Sequence, residues 1–363
     1  MMKRLASLDA LRGFDMFWIM GGEGLACAVA AILGIDGFHA KFGHVDWHGL
    51  QFMDMVFPLF LFLAGVSFPF SAAKSAERGL SRGRVARKAL RRGCILFLLG
   101  MAELLWTFDF AHFRVWSVLG RIGVAWMFAA WIYLYVRGIR TRIGIAFGLL
   151  ALTTLVTMTV LAPGAPAGAD PFSPEWNIGC WLDRTLLAGH TWKPMYDNEG
   201  FAGLVPAVVT AMLGMFAGEI VRKGGDEATG RKAAQLLAFG VGALALGLAW
   251  SFVFPINKKL WSPSFTLVVG GCSALLFALF YWLIDVRGRQ KWSFFFRVIG
   301  MNSITIYLAQ GYLDFGRCRD AIFKGLSTVL PPGWSELEMS IGYIAVCWLF
   351  LYFLYRKNTF LRV

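Results

Sequence analysis

The sequence predicts an all-α protein, a polytopic integral membrane bundle with about 10 transmembrane helices and both termini cytoplasmic. Three observations carry this reading. The first is composition. Of 363 residues, 58% are apolar, 16% aromatic and 16% charged, and the mean hydropathy is +0.60. A soluble domain is about 45–50% apolar and about 25% charged, so these charges are too few to cover a water-facing surface. The second is the run of apolar segments long enough to cross a bilayer, near 10–33, 50–73, 89–106, 115–136, 143–162, 201–221, 233–254, 263–286, 296–313 and 339–355. The third is where the basic residues fall. With the N-terminus inside, Lys3, Arg4 and the clusters at 74–92, 137–142, 222–232, 287–297 and 356–362 share the cytoplasmic side. They hold 24 of the 35 Lys and Arg residues, as the positive-inside rule requires. That asymmetry accounts for the formal net charge of +13 without nucleic acid as a partner.

In chain order, the first run opens Met-Met-Lys-Arg like a signal peptide, but Asp9, Arg12 and Asp15 interrupt its apolar stretch, so a retained helix is expected. At about 100° per residue, Asp9, Arg12, Asp15 and Glu23 share one face of a straight helix. Ionisable groups inside a span mark a functional face or pair within the bundle. Both readings stay open for the first three; Glu23, near the outer end and far from Arg12, is read as functional.

The second run is entered through His44-Val-Asp-Trp47-His48-Gly49-Leu-Gln51-Phe-Met-Asp54-Met-Val-Phe-Pro58. A His beside carboxylates at the membrane boundary has a tunable proton affinity, which suits general acid–base chemistry. A metal at His44, Asp46 and His48 lacks further ligands at suitable spacing, and no metal is expected. The third run begins in the basic cluster at 74–92. The fourth carries Arg121 within Gly120-Arg121-Ile-Gly123, where small neighbours permit close helix approach. Its partner is either an Asp of the first two helices or a phosphate. After the fifth run comes a long outward stretch, 163–200, rich in Gly, Pro, Asp and Trp, which with 34–49 and 314–338 is read as ordered functional loop.

Between the seventh and eighth runs, Phe254-Pro-Ile-Asn257-Lys258-Lys259-Leu-Trp261-Ser-Pro263 puts two lysines on the outer side, against the charge rule. They are a solvated turn or a shaped anion-facing loop. The ninth run carries Asn302, Ser303, Thr305, Tyr307 and Gln310, as helix glue or as substrate contacts; Asn302 is read as functional. The six cysteines show no metal spacing.

Together, Ser7-Leu-Asp9-Ala-Leu-Arg12-Gly13, His44-x-x-Trp47-x-Gly49-Leu with Asp54-x-Val-Phe-Pro58, Gly120-Arg121-Ile-Gly123, Tyr196-Asp197-x-Glu199-Gly200, Pro255-x-Asn257-Lys258-x-Leu-Trp261-Ser262 and Gly300-Met301-Asn302-Ser303 resemble the transmembrane acyltransferases related to heparan-α-glucosaminide N-acetyltransferase. The chain looks like a bacterial member, of the kind associated with N-acetylglucosamine and chitin-sugar use.

The resemblance implies one transmembrane acyltransferase domain over 1–363, in the bacterial inner membrane. It would move an acetyl group from acetyl-CoA to the amine of a glucosamine-type sugar on the periplasmic side. The family's active histidine maps onto His44, to be oriented by Glu23 or Asp54, as general base or as acetyl carrier. Arg12, Arg121, Lys258, Trp261, Asn302 and Ser303 are the expected cofactor-binding residues. Lys258, lying outside, serves either a donor extended through the bundle or the acceptor. The implied partners are the amino-sugar acceptor, acetyl-CoA, the lipid bilayer and a second copy in a homodimer. The rival reading is a sugar or organic-anion transporter using the polar face of the first helix.

Overall fold

A computed structural model describes residues 5–106, 113–223, 225 and 227–361; Lys3, Arg4 and Arg362 of the basic clusters lie outside them. The described residues form helices and loops without a strand. Among the described residues, eight helical stretches are long and apolar enough to cross a membrane, and the chain is a polytopic helical bundle.

The first stretch is broken. α1 (Ala6–Phe17) passes through a π turn (Trp18–Gly22) into α2 (Glu23–Ile32). Gly21 sits at φ 124°, a value that only glycine adopts readily. The turn resets the helical register, so Glu23 does not continue the face set by Asp9, Arg12 and Asp15 as a straight helix would. The short α3 (Phe38–Phe42) lies within the first outward loop.

α4 (Val56–Glu77) follows a 3₁₀ turn (Phe52–Met55) and is largely buried in the bundle. α5 (Arg82–Leu105) has the length of a span but opens with the basic cluster, so its apolar length is short. α6 (Val118–Tyr135), α7 (Ile139–Thr159), α9 (Leu204–Arg222), α10 (Gly230–Trp250) and α11 (Pro263–Phe280) complete the middle of the chain, with α8 (Ile178–Leu186) inside the long outward stretch. The ninth expected run is split at Asn302 into α12 (Phe294–Met301) and α13 (Ser303–Tyr312). These two features, the basic start of α5 and the break at Asn302, account for eight apolar stretches of spanning length among the described residues against about ten expected runs. The expected loop 314–338 is largely helical: Asp314 caps α14 (Phe315–Ser327), and Pro332 starts α15 (Pro332–Arg356). Proline suits a first helical turn, where its missing N–H costs nothing.

Small residues let the axes approach. Gly65 and Gly214 bring α4 against α9, each facing the other helix's backbone with no room for a Cβ, and Gly13 and Gly300 do the same for α1 and α12. Leu61, Phe62, Leu63, Met212 and Phe265 fill the shared core. At one end of this core, the loops 43–51, 160–203 and 251–262 meet over α1, α4, α6 and α13.

Candidate active site

The site begins with a capping arrangement. Asp54, at the third position of the 3₁₀ turn that starts α4, accepts a hydrogen bond from the backbone N–H of Gln51 at 3.0 Å and from that of Val45 at 3.3 Å, both on Oδ2. The carboxylate is completely buried. Its other oxygen, Oδ1, lies 2.7 Å from His44 Nδ1 and 3.2 Å from Lys258 Nζ. A carboxylate only accepts, so Nδ1 carries the proton and the basic lone pair of the neutral ring is on Nε2. The His44 side chain is 49% exposed and lines a cavity of about 410 Å³.

Lys258 Nζ is also 3.2 Å from His44 Nδ1. Burial lowers the pKa of this lysine, and the Asp54 carboxylate opposes the effect. The loop that delivers it is braced internally: Asn257 Oδ1 accepts from the N–H of Leu260, and Ser262 Oγ accepts from that of Asn257. It is tied to the histidine loop by Gly49 N–H donating to Ile256 O at 2.8 Å and by the Asn257 amide, 3.3 Å from His48 Nδ1. His48 therefore braces the loop, and His44 faces the cavity.

Trp261 anchors the loop beneath. It takes φ 50°, is fully buried, stacks edge-on with Phe57 and donates from Nε1 to Thr210 Oγ1 at 3.0 Å. The Arg121 guanidinium lies 5.2 Å from the Trp261 ring and donates to the carbonyls of Gly200 at 2.6 Å and Glu199 at 3.3 Å. Arg121 is fully buried, so its partners are backbone carbonyls of the outward loop rather than an Asp of the first two helices.

The same loop is held from above by Arg114, a residue without a role in the sequence reading. It pairs with Asp197 Oδ1 at 2.6 Å and Glu199 Oε2 at 2.5 Å, which explains the Asp197-x-Glu199 spacing. Asp183, also without a role in the sequence reading, is buried beside Gly200 and accepts from the N–H of Phe201 at 2.6 Å. Burial raises its pKa to about 7.

The cavity runs from a charged rim to an apolar interior. Lys193, Lys258, Lys259 and Arg114 face Asp46 and Glu199 at the mouth, while Phe57, Phe60, Ile122 and Ile304 line the depth. The remaining expected residues make no bond within this cluster. Glu23 reaches toward His39, 4.0 Å away, and not to His44, although its charge acts on Lys258. Arg12 donates to Ser67 Oγ at 3.0 Å, further along α4 than Phe60. Asn302 donates to Thr359 O at 3.2 Å, and Ser303 is buried at the start of α13 beside it. Among the described residues, no three His, Cys, Asp or Glu side chains form a metal-ligating group.

Compared with known proteins, the chain matches no family model. It is 27% identical to the heparan-alpha-glucosaminide N-acetyltransferase of Mus musculus over 369 aligned residues, covering 86% of this chain and 55% of that protein. It is 25% identical to the protein of the same name from Homo sapiens over 430 aligned residues, covering 99% of this chain and 60% of that one. The chain thus spans little more than half the length of these curated relatives, and its relation to the N-acetyltransferases is a distant one.

Proposed function

We propose that the protein is a membrane-embedded acyltransferase that moves an acetyl group from acetyl-CoA to the amine of a glucosamine-type sugar on the outer, periplasmic side of a bacterial inner membrane. One observation carries this reading: the His44–Asp54 pair, 2.7 Å apart, stands at the mouth of a cavity whose depth is apolar. The distant likeness to N-acetyltransferases supports it.

The chemistry requires a base, because a protonated amine has no lone pair to attack a thioester. His44 Nε2 takes that proton; Asp54 fixes the tautomer and stabilises the imidazolium. His44 releases that first proton to solvent, the neutral amine attacks the thioester carbonyl, the C–S bond breaks, and the second N–H proton, shed as the amide forms, passes through Nε2 to the departing thiolate. In the carrier route Nε2 attacks first and the acetyl-imidazole is then aminolysed. The apolar depth suits the uncharged thioester arm of the donor, and Lys258 puts a positive charge beside the developing oxyanion. Arg121 and Trp261 act as positioning residues for the Lys258 loop.

Purified protein in detergent, given labelled acetyl-CoA and glucosamine, is expected to form N-acetylglucosamine, and His44→Ala to abolish it. Labelled protein formed without acceptor in the wild type, and lost in His44→Ala, identifies the carrier route. Sugar flux into proteoliposomes without any acetylation would sink the enzyme reading in favour of a transporter.

A further inference from the structure

On the far side of α9 from the candidate active site, a groove of about 870 Å³ opens between α7 and α10. Its floor is α9, from Val209 to Lys223, about 21 Å of helix at 1.5 Å per residue. Its walls are apolar and outward-facing: Ile143 and Phe147 of α7 are 51% and 53% exposed, and Leu246 of α10 is 44% exposed. One end is basic. Arg142, Arg222 and Lys223 gather there, with Glu219 the one acidic side chain among the described residues that line the groove.

Arg142 is only 9% exposed. It donates from Nη2 to Glu219 Oε1 at 2.9 Å and lies 4.4 Å over the Tyr133 ring, yet its Nη1 is buried without a hydrogen-bond partner. A buried guanidinium nitrogen left unsatisfied is costly, and the groove it lines is where a missing acceptor would enter. Basic pockets between membrane helices take anionic head groups by this combination of charge and adjoining apolar wall.

We propose that the groove is a binding site for an anionic phospholipid. The phosphate meets Arg142 Nη1, Arg222 and Lys223, and an acyl chain lies along α9 between Phe147 and Leu246. Charge complementarity commits the site to an anionic lipid: among the described lining residues, three basic side chains exceed the one carboxylate by two charges, more than a neutral zwitterion can use.

The test is native mass spectrometry of delipidated protein titrated with phosphatidylglycerol or with phosphatidylcholine of the same chains. The wild type is expected to prefer phosphatidylglycerol by about tenfold or more. Arg222→Gln with Lys223→Gln should abolish that preference. Gly242→Phe should weaken both lipids, because a Cβ at Gly242 meets no atom within 4 Å and the ring would fill the groove without disturbing the packing. Equal binding of the two lipids by wild type, or an unchanged preference in Arg222→Gln with Lys223→Gln, overturns the proposal. So does a dimer that Gly242→Phe converts to monomer while phosphatidylglycerol binding stays intact, since the face would then belong to a second copy.

Discussion

One carboxylate oxygen, Oδ1 of Asp54, lies 2.7 Å from His44 Nδ1 and 3.2 Å from Lys258 Nζ, so an imidazole and an ammonium converge on a single buried acceptor. If His44 is the base, the tautomer set by Asp54 is essential. Asp54→Asn keeps the shape but offers an amide that can donate to Nδ1 and put the proton on Nε2, where it blocks base catalysis. We expect kcat for glucosamine acetylation to fall by about 10²–10⁴, with KM little changed. Steady-state kinetics of the purified variant checks this, and near-wild-type kcat would exclude the tautomer role.

Lys258 meets the same ring edge, its ammonium 3.2 Å from Nδ1 and 3.2 Å from Asp54 Oδ1. In the proposed reaction its charge faces the developing oxyanion, so Lys258→Gln should lower kcat by about 10²-fold with KM little changed. Steady-state kinetics of the purified variant checks this, and a kcat near the wild-type value would remove Lys258 from that role.

His44, Asp54 and Lys258 were each legible as candidate residues, because a charge or an imidazole at a membrane boundary is conspicuous in an apolar chain. Their convergence was not, since Lys258 arrives from a loop far along the sequence and only packing brings it to Asp54. Arg121 illustrates the opposite difficulty. A buried membrane arginine suggests a carboxylate or phosphate, but its acceptors are the carbonyls of Glu199 and Gly200, and carbonyls leave no trace in residue identity. Glu23 appeared to share the face of Arg12 because a straight helix was assumed; the adjacent Gly21 and Gly22 are the signal for the π turn that displaces it. The helical bundle itself followed from hydropathy, whereas the break at Asn302 lay hidden inside a continuous apolar run.

The outward loop depends on Arg114. Its removal strands Asp197, which is completely buried, without its cationic partner, and breaking one side of a buried pair costs about 3–5 kcal/mol. Arg114→Ala should therefore lower the melting temperature in detergent by about 5 °C. Arg114→Ala combined with Asp197→Asn should recover part of the loss, since one of the two carboxylates left without Arg114 is then neutral. A double variant no better than the single one would show that the loop loses packing rather than charge balance.

Asp183 makes the stability of the same loop depend on pH. Burial holds its carboxyl at about 7 in the folded protein, against about 3.9 in an unfolded chain. Between these values the folded state binds more protons than the unfolded one, so this residue's contribution is fully present below about pH 4 and is lost as the pH rises through about 7. Asp183→Asn keeps an oxygen for the N–H of Phe201 and carries no charge to titrate. The difference in melting temperature, variant minus wild type, should therefore grow in the variant's favour between pH 5 and pH 8. Thermal unfolding of both proteins in the same detergent across that range measures it. A difference independent of pH would mean that Asp183 keeps its charge in the fold, held by the neighbouring guanidinium of Arg121.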